Sequence, residues 1–214
     1  MIRFAQYGTK HGHAAGVLKV MLDNPEVDVA GVYEPDRSRR DLLETSGPPW
    51  SDICWFDDSS EFLDDPTVAA VSSEGLNAES LAQTEEIVEA GKHVFYDKPA
   101  GEDYARFERV VASARERGLL IQMGYMFRYH DGFSRIAEWA RSGFLGHVFS
   151  IRAHMSTFIT PDSHDTLSAH RGGIFYDLAG HMIDQIVWIL GRPAGISSFM
   201  RRDVSTVEGF NDNT

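Results

Sequence analysis

Apolar positions in the first 123 residues follow two alternating rhythms. Short runs rich in β-branched and aromatic residues, Ile2–Tyr7, Val27–Tyr33, Val68–Ser72, Val94–Tyr96 and Leu119–Met123, read as strands. Between them apolar residues return every three or four positions: Val17, Leu18, Met21 and Leu22; Leu81, Ile87 and Val88; Phe107, Val110, Val111 and Ala114. That spacing lines one face of a helix. It predicts helices from near His13, over 78–90 and over 103–117, with Gly91 and Gly118 as the left-handed residues that end the last two. A polar helix over Ser38 to Glu44 and a brief one over Phe62 and Leu63 flank a Gly/Pro/Trp-rich loop, 46–58, with a short strand inside it. Regular strand–helix alternation of this kind predicts a parallel α/β sheet.

Beyond Gly124 the rhythm changes, which places a domain boundary there: residues 1–123 form one domain and 124–214 a second. Tyr125 to Tyr129 is aromatic and irregular, and a helix is predicted from Asp131 to Arg141. Val148–Met155 alternates apolar and polar, as an antiparallel strand with one wet face does. A polar loop, 156–171, precedes an amphipathic helix from Ile174 to Leu190, and Ile196–Met200 reads as one more strand. The fold class expected is therefore α/β: a Rossmann domain followed by a smaller α+β domain with a mixed or antiparallel sheet.

Composition narrows the partners. With 32 acidic and 20 basic residues, net charge −12, the chain lacks the basic surface that nucleic acid or an anionic membrane calls for, so a small molecule is the expected ligand. The single cysteine, Cys54, cannot form an internal disulfide and is expected to be a buried or partly buried thiol without a catalytic role. No run reaches membrane-span length, and a cytoplasmic location is expected.

Candidate chemistry sits at the ends of predicted strands, where ligands gather in open α/β sheets. The first turn, Gly8-Thr9-Lys10-His11-Gly12-His13, departs from G-x-G-x-x-G, with Lys10 at the second glycine position and His13 at the third. Glu34 ends the second strand, where an acid can accept ribose hydroxyls and so favours NAD. Arg37, Arg39 and Arg40 nearby keep NADP open. The stretch Asp97-Lys98-Pro99 puts a lysine at the end of another strand. Asp177 and His181 lie four apart on the long second-half helix, and so on one face, a pairing suited to proton transfer. His154, His164, His170 and His181 match no compact ligand spacing, and no metal site is expected.

Several segments together resemble the Gfo/Idh/MocA family of oxidoreductases: Glu89 to Val94 with Asp97-Lys98-Pro99, Phe127-Arg128-Tyr129, Gly143 to Val148, and Gly172-Gly173 followed by Asp177 and His181. The resemblance implies an NAD(P)-dependent oxidoreductase that moves a hydride between nicotinamide and a hydroxyl carbon of a sugar, inositol or related polyol. It implies catalytic roles for Lys98, Asp177 and His181, and cofactor contacts from the first turn, Glu34, Ser73, Asn77, Asp97 and Lys98. Substrate contacts are expected from Arg128, Tyr129, His164 and His170, and homo-oligomer contacts from the second-domain sheet. A non-catalytic NAD(P)-binding sensor, NAD-assisted glycoside cleavage and a metal-dependent isomerase or lyase stay open beside it. Family members run on for roughly another hundred residues, enough to complete a domain of ordinary size, so the chain is expected to be an incomplete version of a longer protein or to have its second sheet covered by a partner.

Overall fold

A computed structural model describes residues 1–160, 167, 170, 172–208 and 210–213. The chain divides into two compact units, Met1–Gly124 and Tyr125–Thr214.

In the first unit six strands alternate with helices in the order β1 (Ile2–Tyr7), α1 (Ala14–Asp23), β2 (Val27–Tyr33), α2 (Arg37–Glu44), β3 (Trp55–Phe56), α3 (Ser60–Leu63), β4 (Ala70–Ser73), α4 (Ser80–Glu89), β5 (His93–Tyr96), α5 (Tyr104–Glu116) and β6 (Ile121–Met123). The strands form one sheet, all parallel, in the order β3-β2-β1-β4-β5-β6. The chain winds outward from β1 in one direction and from β4 in the other. Right-handed crossovers then put α1 and α4 on opposite faces. Two apolar clusters match this layering. Ala14, Leu18, Met21, Val32 and Trp50 pack together on one side, and Tyr7, Phe62, Val71, Ile87, Val94, Tyr96 and Val110 on the other. Full burial of a side chain such as Leu18 or Ile87 contributes about 1.5–3 kcal/mol. All four residues of β4 are buried, as a central parallel strand requires.

Local sequence sets the helix ends. Asp36 and Asp103 cap α2 and α5, their side chains accepting from the N–H of Arg39 at 3.2 Å and of Arg106 at 2.9 Å. Cys54 is exposed, contrary to expectation: it precedes β3, the edge strand, which leaves its thiol without a covering neighbour.

The second unit contains a 3₁₀ turn (Met126–Tyr129), α6 (Asp131–Arg141) and α7 (Gly173–Leu190), which Gly191 closes at φ +81°. The strands expected at Val148–Met155 and Ile196–Met200 do not form. An alternating pattern supplies a wet and a dry face, but a strand exists only as part of a ladder. The one bridge in this unit among the described residues is antiparallel, Arg201 to Asn213. No helix among the described residues is long and apolar enough to cross a membrane.

Candidate functional site

The strand order reverses between β1 and β4, and the loops that follow these two strands meet there. Gly8 has φ +86°, and a Cβ on it would stand 2.7 Å from the Gly75 nitrogen, so glycine alone lets the two backbones touch. The turn is pinned from several sides. Gly8 N–H donates to Tyr33 O at 2.7 Å, Glu74 N–H to Tyr7 O at 2.8 Å, and His11 N–H to Glu74 O at 2.9 Å. Buried Glu34, just past β2, accepts through Oε2 from Thr9 N–H at 2.9 Å and from Thr9 Oγ1 at 2.6 Å, and through Oε1 from Asp36 N–H at 2.9 Å. Arg39 closes over the same threonine, Nε donating to Thr9 Oγ1 at 2.7 Å and Nη2 to Thr9 O at 2.8 Å. Lys10 pairs with Glu79 at 3.1 Å. By contrast nothing lies within 4 Å of a Cβ built on Gly12, so the start of α1 opens onto free space. A rigid glycine turn, an open helix N-terminus and an acid and a guanidinium at the end of β2 together fit the phosphates and ribose of a dinucleotide.

Two sequence-predicted contacts are placed differently from the rest. Ser73 is fully buried, its hydroxyl directed at Ser80 O and Gln83 Oε1, both at 3.3 Å, so it secures the start of α4. Asn77 is half-buried in the loop before α4.

At the carboxyl end of β5, Asp97 is buried and Lys98 is 5% exposed. Lys98 N–H donates to Asp97 Oδ1 at 2.7 Å, and the peptide bond from Lys98 to Pro99 is cis. Asp97 Oδ2 lies 2.7 Å from His13 Nδ1 and 3.2 Å from His11 Nδ1. The hydrogen bond to Asp97 raises the pKa of His13, against the opposing effect of burial. Burial pushes the Asp97 carboxyl up, but the His13 hydrogen bond, the His11 and His13 charges and the Lys98 N–H outweigh it, and the net direction is down. Glu74, fully buried beside them, has its pKa raised to about 7 by loss of solvent, with Asp97 adding to the rise and the Ser72 hydrogen bond opposing it. An acid immediately after a fully buried strand is the signal that would have drawn attention to Glu74 in the sequence.

In the second unit, Asp177 and His181 both lie on α7, one turn apart; Asp177 is half-buried and His181 is buried. The His181 ring meets Tyr125 edge-on, centroids 6.3 Å apart, and Phe127 at 5.3 Å. Close approach of α7 to the Tyr125 ring falls at Gly180. Arg128 is held by Asp184 through Nε at 2.8 Å and Nη2 at 2.7 Å, and stacks 5.4 Å over Trp188. Asp184, which the sequence reading overlooked, thus clamps the 3₁₀ turn to α7 beside His181. Tyr129 is exposed, and His170 is buried against Tyr176 with ring centroids 4.8 Å apart. His164 lies outside the described residues. A groove of about 700 Å³ runs between 151–159 and α7, lined by apolar residues including Ile174, Leu178 and Met182.

Comparison with known proteins decides the family. Residues 3–125 match the sequence profile described as the oxidoreductase family, NAD-binding Rossmann fold, and residues 133–214 match the GFO/IDH/MocA C-terminal domain. The chain belongs to the Gfo/Idh/MocA oxidoreductase family. Among its relatives, the uncharacterized oxidoreductase YhhX of Escherichia coli (strain K12) is 27% identical over 158 residues, 74% of this chain and 46% of that protein. The scyllo-inositol 2-dehydrogenase (NADP(+)) IolW of Bacillus subtilis (strain 168) is 23% identical over 205 residues, 92% of this chain and 56% of that protein. The crystal structure of an NAD-binding protein from Listeria innocua superposes with a TM-score of 0.71 at 21% identity, over 88% of this chain and 55% of that one, and shares the fold. This chain of the Gfo/Idh/MocA family thus spans about half the length of the relatives it matches.

Proposed function

We propose that the protein works as an NAD(P)-dependent oxidoreductase on a hydroxyl carbon of a polyol, an inositol or sugar being the closest chemical class. The observation that carries this reading is the crevice at the β1–β4 reversal, where the glycine turn, Glu34 and the Asp97–Lys98 pair all lie at carboxyl ends of parallel strands. A bound nicotinamide dinucleotide supplies the hydride chemistry. The Gly8–His13 turn and the α1 N-terminus hold its phosphates. Glu34, at the end of β2, would accept from a ribose hydroxyl, while Arg39, in α2, would offer a cation to a 2′-phosphate, so both nucleotides are candidates.

Roles for the acid–base residues follow from their chemistry. The Lys98 ammonium, largely withdrawn from water, polarises the reacting oxygen of the substrate. An imidazole nitrogen of His181 takes the hydroxyl proton in oxidation and returns it in reduction. Asp177, one helical turn earlier, holds a neighbouring hydroxyl and orients that ring. We also assign residues 124–214 to substrate binding and to contacts between copies of the chain, with the segments 148–155 and 196–200 as the strands of its mixed sheet once partner strands are present. A spectrophotometric screen at 340 nm with inositols and sugars and either nucleotide tests the reaction. Polyol-dependent reduction of the nucleotide is expected, with Lys98→Met lowering kcat roughly 10²-fold or more. Absence of turnover on every polyol, or an unchanged kcat in Lys98→Met, would overturn it.

A further inference from the structure

The resemblance assigns Arg128 to the substrate, yet two nitrogens of its guanidinium bond a single carboxylate. Nε donates to Asp184 Oδ2 at 2.8 Å and Nη2 to Asp184 Oδ1 at 2.7 Å, the side-by-side fork that arginine forms with an acid. One face of the same group lies 5.4 Å from the centroid of the Trp188 ring. Asp177, His181, Asp184, Gln185 and Trp188 follow one another at three- and four-residue steps, so they share one side of α7. That side is buried although it is polar. Past the first turn of α7 the buried residues are His181 and Gln185, while Ile183 and Val187 are exposed. Neither polar atom of the Gln185 amide has a hydrogen-bond partner among the described residues. A face of this kind loses by desolvation what apolar packing would gain, so an element laid against it needs a directed bond to stay there.

The element held is the 3₁₀ turn, and it carries the wall of the His181 ring. Phe127 lies between Phe133 of α6, stacked at 4.3 Å between centroids, and His181, at 5.3 Å. Tyr125, just before the turn, meets the same imidazole edge-on at 6.3 Å. Arg128 O accepts from Ser134 Oγ at 2.8 Å, which ties the backbone beside Phe127 to α6. The Arg128 side chain ties the same residue to α7, three positions beyond His181. We propose that Arg128 is a positioning residue for His181: paired with Asp184, it fixes the 3₁₀ turn so that Phe127 and Tyr125 keep the imidazole in one orientation, and it does not itself bind substrate. Its effect on the reaction rests on His181 being the proton carrier assigned above. A base turned away from its proton loses rate without losing affinity for the substrate.

Steady-state kinetics on a polyol that the wild-type protein oxidises, together with nuclear magnetic resonance of the His181 ring, test this. Arg128→Lys and Asp184→Asn are each expected to lower kcat roughly tenfold or more with KM for the polyol within about threefold. The double variant should fall no further than the worse single one, as removal of both partners of one bond does. The ring signals of His181 should shift in both single variants, since the Phe127 and Tyr125 rings then sit differently against it. The urea midpoint should move little, because the arginine side of the pair is part-exposed. A rise in KM in Arg128→Lys that Asp184→Asn does not share would make Arg128 a substrate contact and overturn the proposal, as would additive losses or unmoved His181 signals. Absence of turnover in the wild type would instead overturn the oxidoreductase reading, and the His181 signals would then decide the positioning by themselves.

Discussion

The two units differ in how completely each buries its own apolar residues. In the first, twelve residues form one buried apolar cluster and five another. In the second, only Ala137 and Phe210 are fully buried apolar residues among those described, while Phe149 and Phe158 are 88% exposed and Ile196 and Phe199 82%. Composition does not explain this, because the exposed residues of the second unit are as apolar as the buried ones of the first. Connectivity does. Each strand–helix–strand step of the first unit delivers a helix onto the sheet it has just extended, so the core closes from local pieces. The second unit has long extended segments whose apolar faces meet no ladder among the described residues. Apolar pattern alone therefore marks a surface meant for burial without supplying what buries it.

The largest test of that contrast is a pair of truncations. Phe62 is fully buried among Tyr7, Tyr33 and Phe56, and Phe62→Ala is expected to cost about 3–5 kcal/mol in urea denaturation. Phe199→Ser should change stability by less than about 0.5 kcal/mol, and a large loss there would mean that the second unit buries this ring after all. Gly8→Ala comes next. Its positive φ and the 2.7 Å approach to Gly75 predict a loss of about 2–3 kcal/mol, together with weaker nucleotide binding.

Glu74→Gln sharpens the account through pH. A carboxyl whose pKa rises from 4.5 to about 7 on folding binds its proton more tightly in the native state. Its contribution to stability is full below about pH 4.5 and declines as the pH rises toward 7. The glutamine variant should be more stable than wild type at pH 8 by an amount on the order of 3 kcal/mol, and nearly equal to it at pH 4.5. Thermal unfolding at the two pH values reads this difference, and a gap of the same size at both would remove the titration of Glu74 as its cause. Smallest is the Arg128–Asp184 clamp, part-exposed on the arginine side. A double-mutant cycle should give a coupling of about 1 kcal/mol, confined to the second unit.

Much of the first unit could be read from the chain because its signals are local. Gly91 and Gly118 end helices, Val71 and its neighbours read as a buried strand, and Glu34 stands at the end of β2 where the alternation placed it. Strand order and the meeting of Gly8 with Gly75 needed the handedness of the crossovers as well. What escaped the sequence depends on long separations. His13 and Asp97 are 84 residues apart, Arg128 and Asp184 are 56 apart, and no spacing rule links them. Val148–Met155 failed for a different reason, since alternation describes one strand and pairing requires two.

Nucleotide binding at the β1–β4 crevice is the central claim, and titration of the protein with NADH and with NADPH, followed by nicotinamide fluorescence, tests it most directly. Saturable binding of at least one nucleotide at one equivalent, weakened in Gly8→Ala, is the predicted result. No saturable change with either nucleotide would contradict the account.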